Sequence, residues 1–327
     1  GSEMCIRDSL EGIRNNDRAA LGRAITLVES NSSADKDRAQ ELLTALLPFT
    51  GGSRRIGISG VPGVGKSTFI ESFGLRLVDA GHRVAVLAVD PSSSVSKGSI
   101  LGDKTRMEKL AISENAFIRP SPTGGSLGGV ARKTREAILV CEAAGYDVVV
   151  VETVGVGQSE TAVAEMVDFF LVLKLSGAGD ELQGIKRGIL ELADLVAINK
   201  ADGENLQAAE LARSEFERAL QILRPGEEDS WSLRVITSSG HTGAGLDEIW
   251  QIVPEHHELL SGNGGLDRLR REQLLGWMWS LVDEGLRSAV REHPRVASTL
   301  ADLEANVLGG RTTATAAAER ILKAFKM

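Results

Sequence analysis

The feature that most constrains the fold of this sequence is a glycine-rich segment, residues 60–67, that ends in a lysine and a serine. It matches the pattern G-x-x-x-x-G-K-[ST], which binds nucleotide phosphates where it connects a β-strand to an α-helix. A short apolar run precedes it and a helix-like segment follows it, so the context is the required one. The alternative is a glycine loop with a purely structural role. The predicted nucleotide-binding residues are Gly60, Val61, Pro62, Gly63, Val64, Gly65, Lys66, Ser67 and Thr68.

Two side chains of this segment are expected to have specific chemical roles. The glycines allow backbone N–H groups to turn inward around the phosphates, and the following helix contributes the positive end of its dipole. Lys66 is expected to contact the β- and γ-phosphates as a catalytic residue, and the Ser67 hydroxyl is expected to bind Mg²⁺. We therefore expect the chain to bind a nucleoside triphosphate together with Mg²⁺.

Short apolar runs alternate with helix-length segments through the middle of the chain. Continuous apolar strands separated by helices are typical of a parallel sheet that is covered on both faces. The sequence therefore predicts an α/β P-loop NTPase fold with a doubly wound, mostly parallel sheet. The predicted strands are residues 55–59, 84–89, 116–119, 147–152, 169–175, 195–199 and 234–237.

Helical patterns flank this region on both sides. From Leu10 to about position 47 the apolar residues have helical spacing, and a second helix is expected to begin at Asp35. From Leu266 onward the chain is helical again, and Pro294 and the glycines at 309–310 divide it into three helices. We expect an N-terminal helical extension over 1–50, a nucleotide-binding P-loop domain over 51–255 and a C-terminal helical dimerisation arm over 256–327.

Dimerisation is expected because one stripe of the C-terminal helices is too apolar for a solvated surface. It follows the end of the sheet domain, where a self-complementary two-fold contact is the commonest solution. The alternative is packing of the stripe onto the chain's own core. The stripe consists of Leu266, Leu269, Leu274, Trp277, Leu281 and Leu286.

Guanine is predicted as the base from the segment that closes the run 195–199. There the Asp202 carboxylate can accept from the N1–H and the exocyclic amino group of guanine, whereas adenine offers an acceptor at N1. Such a site discriminates strongly, because the wrong base leaves buried polar groups unpaired. The alternative is a polar turn after a strand. The predicted base-binding residues are Asn199, Lys200 and Asp202, with Ser238 and Ser239 in a segment whose backbone is a candidate donor to the guanine O6.

Acidic residues follow or end two of the predicted strands. Asp90 follows the run 84–89, and Glu152 ends a later run. Strand carboxyl ends line the ligand crevice of a doubly wound sheet, so both acids are expected to face the phosphate loop from neighbouring strands and to bind Mg²⁺. Gly155 is expected to offer its N–H to the γ-phosphate. Asp103, in a glycine-punctuated loop, is either a third metal-binding acid or a solvated loop residue.

The residue at the position that usually orients the attacking water differs from the residue found there in many GTPases. A glutamine commonly follows the glycine that contacts the γ-phosphate. Here Val156 has that position, and Gln158 lies two residues further on. No arginine that would stabilise the transition state can be named from the sequence. We therefore expect slow intrinsic hydrolysis of GTP to GDP that needs a partner.

The composition excludes several classes of protein. The formal net charge is −8 and no basic tail or stripe is present, which argues against nucleic-acid binding. Cys5 and Cys141 lie far apart, without the spacing of a metal site or a disulfide framework, which indicates a reducing, cytoplasmic location. No run is apolar over the length that a membrane span requires, so no membrane association is expected.

Several longer motifs resemble those of one known family. These motifs are VDPSS at 89–93, GSILGDKTRM at 98–107, ETVGVGQSE at 152–160 and GAGDELQGIK at 177–186. Together with the phosphate loop and the guanine motif, they make the chain similar to the methylmalonyl-CoA mutase-associated GTPases, the MeaB/ArgK group of G-protein chaperones. The resemblance extends from about Leu10 to Met327.

The resemblance implies a P-loop fold of the signal-recognition and nickel-chaperone class and a homodimer built through the C-terminal helices. It also implies GTP-gated assistance to an adenosylcobalamin-dependent acyl-CoA mutase. The magnesium and hydrolysis acids of the family correspond to Asp90, Asp103 and Glu152, which favours the metal-binding interpretation of Asp103. Its mobile segments correspond to residues 97–103, 154–160 and 176–186, and the last of these is implied to communicate with the mutase.

Two other functions are compatible with the same fold. A metallochaperone GTPase commonly displays clustered cysteine and histidine, whereas this chain has five scattered histidines. An ATP-dependent kinase or transport ATPase disagrees with the guanine motif, and no membrane segment supports direct transport. We therefore expect a homodimeric GTPase that gates cofactor loading or protection in a B12-dependent mutase.

Overall fold

The computed structural model of the protein describes residues 2–89, 107–120, 127–153, 159–177, 187–223 and 231–326. Within them the chain forms two compact units, one that ends at Arg270 and one that begins at Arg271. The first contains a sheet with its flanking helices, and the second consists of helices.

A parallel sheet forms the centre of the first unit. Its strands are β1 (Arg54–Gly60), β2 (Val84–Val89), β3 (Ala116–Arg119), β4 (Val148–Thr153), β5 (Phe169–Leu175), β6 (Leu195–Asn199) and β7 (Arg234–Thr237). The seven strands lie in the order β3-β2-β4-β1-β5-β6-β7, and each described pairing is parallel. The predicted fold is confirmed, and each predicted strand differs from the observed one by at most one residue at either end.

Helices cover both faces of this sheet, as its fully apolar strands require. They are α1 (Ser2–Arg14), α2 (Arg18–Val28), α3 (Ser33–Leu46), α4 (Lys66–Asp79), α5 (Glu108–Ile112), α6 (Leu127–Ala143), α7 (Ser159–Ala164), α8 (Arg187–Leu192), α9 (Leu206–Leu223) and α10 (Leu246–Gly262). Helices α4, α5 and α10 share one apolar core with the sheet. Helices α1 to α3 and α6 to α9 share the core on the opposite face. The sheet is therefore doubly wound.

The N-terminal region contains three helices, whereas its spacing predicts two. Helix α1 ends at Arg14, and Asn16 then adopts a left-handed conformation with φ of 57°. The Asp17 side chain accepts a 2.8 Å hydrogen bond from the Ala19 N–H and so caps α2. Asparagine tolerates this conformation better than most residues, and aspartate is a favoured helix cap. The interruption between α1 and α2 therefore comes from the turn at Asn16 and Asp17, which the spacing of apolar residues does not predict.

Charged side chains at the amino ends of the strands connect neighbouring elements. Arg270 donates to the Asp168 carboxylate at 2.7 and 2.8 Å and to the Ser53 backbone oxygen at 2.9 Å. Glu142 accepts from Arg55 Nε at 2.8 Å and from the Ser53 hydroxyl at 2.5 Å. Both acids are almost fully buried, so removal of either partner would leave an uncompensated charge.

The C-terminal helices are α11 (Gly265–Glu292), α12 (Pro294–Leu308) and α13 (Ala314–Lys326). The predicted division of this region at Pro294 and at the glycines 309–310 is confirmed. Helices α12 and α13 pack together, with Val296, Leu303 and Ala317 buried between or beside them. In the part of the chain that the structure describes, no helix is both long and apolar enough to span a bilayer.

We predict that Gly57→Ala destabilises the protein by overpacking the sheet. A Cβ at Gly57 would lie 2.7 Å from the Phe170 ring and 3.0 Å from the side chains of Val163 and Val167. Forced into a packed core, one methyl group costs about 1–3 kcal/mol of unfolding free energy, which urea denaturation followed by circular dichroism would measure.

The matched control is Gly22→Ala in α2, where an added Cβ meets no atom within 4 Å. That variant should gain about 0.5–1 kcal/mol, because alanine has the higher helix propensity. Equal effects of the two substitutions would contradict the packing argument.

Candidate nucleotide-binding site

The phosphate loop connects the end of β1 to the start of α4, as its motif predicts. Gly60 has φ of 156°, and a Cβ there would lie 2.6 Å from the Leu173 carbonyl oxygen on β5. Gly65 has φ of 93°, and its Cβ would lie 3.1 Å from the Asn199 side-chain nitrogen. Both glycines are therefore required by a close approach of neighbouring strands to the loop.

Lys66 is the first residue of α4, and its side chain is almost completely buried. Its ammonium group donates to the backbone oxygen of Gly60 at 2.7 Å and to that of Val61 at 3.3 Å. Burial lowers the pKa of Lys66, while the carboxylates of Glu152 and Glu160 act in the opposite direction. The lysine therefore sits against its own loop, with two acids close enough to stabilise its positive charge.

These two acids reach the phosphate loop from different elements. Glu152 lies at the carboxyl end of β4, in register with Ile58 of β1 and Ala88 of β2. Glu160 lies in the first turn of α7, and no role was predicted for it from the sequence. Glu152 is 7% exposed and Glu160 is 5% exposed. The sequence could not predict a role for Glu160, because it resembles an ordinary acid in a first helical turn. The fold brings it near Lys66.

Several predicted site residues lie outside the described residues, namely Asp90, Asp103 and Gly155, together with most of the predicted mobile segments. The pairing of β2 with β4 does confirm that the strands before Asp90 and at Glu152 are neighbours. Of the remaining loop residues, Ser67 is half-buried and Thr68 is exposed.

Asn199, at the end of β6, connects the phosphate loop to the loop after β7. Its side-chain nitrogen donates to the Val64 carbonyl oxygen at 2.8 Å. Its side-chain oxygen accepts from the Gly240 N–H at 3.1 Å and from the Ser238 hydroxyl at 3.4 Å. A carboxylate could not donate to Val64, so only a carboxamide satisfies both sides of this buried contact.

Asp202 contacts the same loop. The Ser239 hydroxyl donates a hydrogen bond to the Asp202 carboxylate and accepts from the backbone N–H groups of His241 at 3.2 Å and Thr242 at 3.0 Å. Lys200, within the motif, has φ of 61°, which is uncommon for a residue with a side chain. The structure therefore brings the predicted guanine motif and the predicted loop after β7 into direct contact.

The backbone N–H groups of the loop after β7 are the candidate donors to the guanine O6. In the structure they already donate to acceptors within the protein. The Ser238 N–H donates to the Ile198 oxygen at 2.8 Å, and the Ser239 N–H donates to the Ala244 oxygen at 3.0 Å. The Gly240 N–H donates to Asn199. Contact of any of them with a base would require a shared or exchanged hydrogen bond.

Comparison with known proteins agrees with this geometry. The family described as methylmalonyl Co-A mutase-associated GTPase MeaB matches residues 21–295. The chain belongs to the MeaB family.

Individual relatives of this MeaB-family chain support the assignment. A putative GTPase of Caulobacter vibrioides is 58% identical over 309 residues, which are 94% of each chain. The Mus musculus protein named methylmalonic aciduria type A homolog, mitochondrial, is 47% identical over 325 residues, which are 96% of this chain and 78% of that one. A solved structure described as an LAO/AO transport system kinase matches with a TM-score of 0.79 and 37% identity over 99% of both chains. As a member of this GTPase family, the chain binds guanine nucleotides and hydrolyses GTP.

We predict that Asn199→Ala lowers both the stability of the protein and its affinity for GTP. The substitution leaves the Val64 carbonyl and the Gly240 N–H without their partner, at a cost of about 1–3 kcal/mol for each buried group. Urea denaturation and nucleotide titration would measure the two losses.

The control for this substitution is Asn115→Ala, at an exposed position between α5 and β3. It should change neither quantity by more than about 0.5 kcal/mol. If Asn199→Ala bound GTP as tightly as the unmodified protein, the connection between the two loops would not matter for binding.

Proposed function

We propose that this GTPase is a G-protein chaperone of an adenosylcobalamin-dependent acyl-CoA mutase, with methylmalonyl-CoA mutase as the first candidate. GTP binding and slow hydrolysis would gate cofactor loading or protection. The observation that carries the proposal is the match of residues 21–295 to a family named for its association with that mutase. The relative named for methylmalonic aciduria supports it. We place this activity in the cytoplasm, with no nucleic-acid or membrane partner.

Base recognition is assigned to Asp202 in this proposal. Its carboxylate accepts from the N1–H and the 2-amino group of guanine, and the Ser239 hydroxyl fixes its orientation. Asn199 contributes by holding the phosphate loop and the loop after β7 at a set separation. Adenine would leave the carboxylate facing a lone pair, and this unpaired polar contact favours GTP over ATP.

Mg²⁺ is proposed to bind with GTP, through Ser67 and the acids Asp90, Asp103 and Glu152. The half-buried Ser67 hydroxyl and the buried Glu152 carboxylate are hard oxygen donors, which Mg²⁺ prefers, so the residues fit the ion. When bound, the ion would neutralise charge that develops on the phosphates. Lys66 would place its ammonium group against the β- and γ-phosphates, an exchange of its present carbonyl partners for stronger anionic ones.

Slow intrinsic turnover follows from the residues beside Gly155 in the sequence. Gly155 would offer its N–H to the γ-phosphate, but Val156 has no group that orients a water molecule. A partner that contributes such a group would supply what the isolated protein lacks. This behaviour suits a switch that reports on its partner.

Homodimerisation through α11 is the proposed quaternary structure. Large apolar side chains on one side of this helix are about half exposed within the chain, although soluble proteins rarely leave such contiguous surfaces uncovered. A second copy presents the same surface and can cover it by a two-fold contact. Two of these side chains belong to the predicted stripe, Leu274 (56% exposed) and Leu286 (53%), and the others are Leu275 (58%), Met278 (46%) and Trp279 (61%). Of the rest of the stripe, Leu266 is buried within its own unit, and Leu269, Trp277 and Leu281 are half-buried.

The main rival is an ATP-dependent kinase or transport ATPase, and the matching solved structure is described as a transport system kinase. That description belongs to the matching protein, and the guanine contacts proposed for Asp202 disfavour ATP. A metallochaperone GTPase is the other rival, and its expected clusters of cysteine and histidine do not occur in the sequence.

We predict that the proposed mutase partner accelerates GTP hydrolysis by about 10-fold or more, as a partner that completes a GTPase site does. Phosphate release at saturating GTP, with and without the mutase, would measure this. Asp103→Ala should bind GTP nearly normally but lose the acceleration, whereas Glu152→Ala should weaken Mg²⁺ binding and basal hydrolysis. Identical rates with and without every candidate mutase would reject the chaperone proposal.

The base assignment predicts a change of specificity in Asp202→Asn. This variant should lose GTP affinity on the order of 100-fold and bind XTP better, because the amide can donate to the xanthine O2. Titration calorimetry with GTP, XTP and ATP would measure it, with Asp302→Asn, an exposed aspartate on α12, as the matched control. Equal affinity of the unmodified protein for ATP and GTP would refute the assignment.

The dimer proposal predicts that Met278→Glu yields a monomer that still binds GTP. In a two-fold contact, the introduced carboxylates of both copies would be buried in an apolar interface without water. This cost would prevent the dimer from forming. The control is Ser280→Glu, which lies on the opposite side of α11 by helical geometry. Light scattering would contradict the proposal if both variants had the same mass as a dimer of the unmodified chain.

A further inference from the structure

The peptide unit around Gly240, in the loop after β7, is held from two directions. Its N–H donates to Asn199 at 3.1 Å, and its carbonyl oxygen accepts a 2.5 Å hydrogen bond from the Ser72 hydroxyl of α4. A Cβ at Gly240 would lie 2.8 Å from the backbone nitrogen of Phe69, so the loop lies directly on the helix backbone. The glycine is required by this approach, and Ser72 is the residue that fixes it in position.

Helix α4 thereby connects the two ends of the nucleotide site. Lys66 begins the helix at the phosphate loop, and Ser72 follows it by about 9 Å along the axis. Ser72 holds Gly240, and the preceding residue, Ser239, donates its hydroxyl hydrogen bond to Asp202. A helix and two side-chain contacts therefore connect the phosphate-binding lysine to the proposed base-binding carboxylate.

We propose that Ser72 is a positioning residue for base selectivity. Its hydroxyl fixes the position of the loop after β7 relative to the phosphate loop. When the phosphates of a nucleotide are bound, this position determines where Asp202 contacts the base. The inference rests on the assignment of Asp202 to guanine in the proposed function. It adds a residue that touches neither base nor phosphate and that acts through Gly240 and Ser239.

A second contact between α4 and this region is too exposed to have the same effect. Arg76 forms an ion pair with Asp247 at 2.5 Å, but the two side chains are 39% and 75% exposed. Water and salt screen ion pairs of this kind, and they contribute little. The Ser72 hydrogen bond is partly buried and acts on the loop backbone itself, so its loss is expected to move the loop more.

The experiment compares the affinities of the full-length protein and its variants for GTP and for ITP, which lacks the 2-amino group. Ser72→Ala should reduce the ratio of GTP to ITP affinity about 3- to 10-fold, the range expected for one lost hydrogen bond. Its hydrolysis rate at saturating GTP should stay unchanged, because the γ-phosphate end is not altered. Ser72→Thr, which keeps the hydroxyl, should restore the ratio.

The matched control is Ser214→Ala, which removes a helix serine whose hydroxyl donates to the Glu210 backbone oxygen in α9. It should leave the affinity ratio unchanged. If Ser72→Ala does not fold, Ser72→Cys tests the same point, because a thiol is a much weaker donor of nearly the same shape. An intermediate loss of the ratio is expected for Ser72→Cys.

A lowered thermal midpoint with an unchanged affinity ratio in Ser72→Ala would show a merely structural role and overturn the inference. An equal loss of the ratio in Ser72→Thr would also overturn it, because the hydroxyl would then not be the cause. Asp202→Asn separates this inference from the proposed function. If Asp202→Asn retains the preference for guanine, the base assignment is wrong. If Asp202→Asn shifts to xanthine while Ser72→Ala keeps the normal ratio of GTP to ITP affinity, only the role of Ser72 is wrong.

Discussion

The carboxamide of Asn199 is the contact that holds together the two loops of the candidate nucleotide site. It joins Val64 in the phosphate loop to Gly240 in the loop after β7, two segments that are distant in the sequence. A parallel sheet makes this possible, because the carboxyl ends of its strands meet at one edge. The contact is buried and uses both the donor and the acceptor of the side chain. Any substitution therefore leaves at least one buried polar group unpaired.

Charges at the two ends of the strands are arranged in different ways. At the amino ends, Arg270 and Arg55 satisfy the buried carboxylates of Asp168 and Glu142 with short hydrogen bonds. Such closed pairs contribute little net stability, but they are costly to break. At the carboxyl ends, burial lowers the pKa of Lys66 while two acids oppose that shift. A buried cation at this end of the sheet supports the proposed binding of an anionic ligand there.

One helix contacts both loops of the candidate nucleotide site. Helix α4 carries Lys66 at its first turn and Ser72 further along, and the loop after β7 lies against its backbone at Gly240. Because a helix is stiff over this distance, it holds the phosphate loop and the loop after β7 at a set separation. The exposed apolar surface of α11 is independent of the nucleotide site. In the proposed dimer, a second copy of the chain would bury it.

The sequence by itself determined the strands, the phosphate loop and the guanine motif, because each depends on a local pattern of apolar residues, glycines or polar end groups. It also predicted that β2 and β4 are neighbours, which the sheet confirms. It did not reveal the break at Asn16, where one left-handed residue interrupts continuous helical spacing. Nor did it reveal Glu160 beside Lys66 or Ser72 beneath Gly240. Both pairs join residues far apart in the chain, and only the packing of helices on a shared sheet brings them near each other.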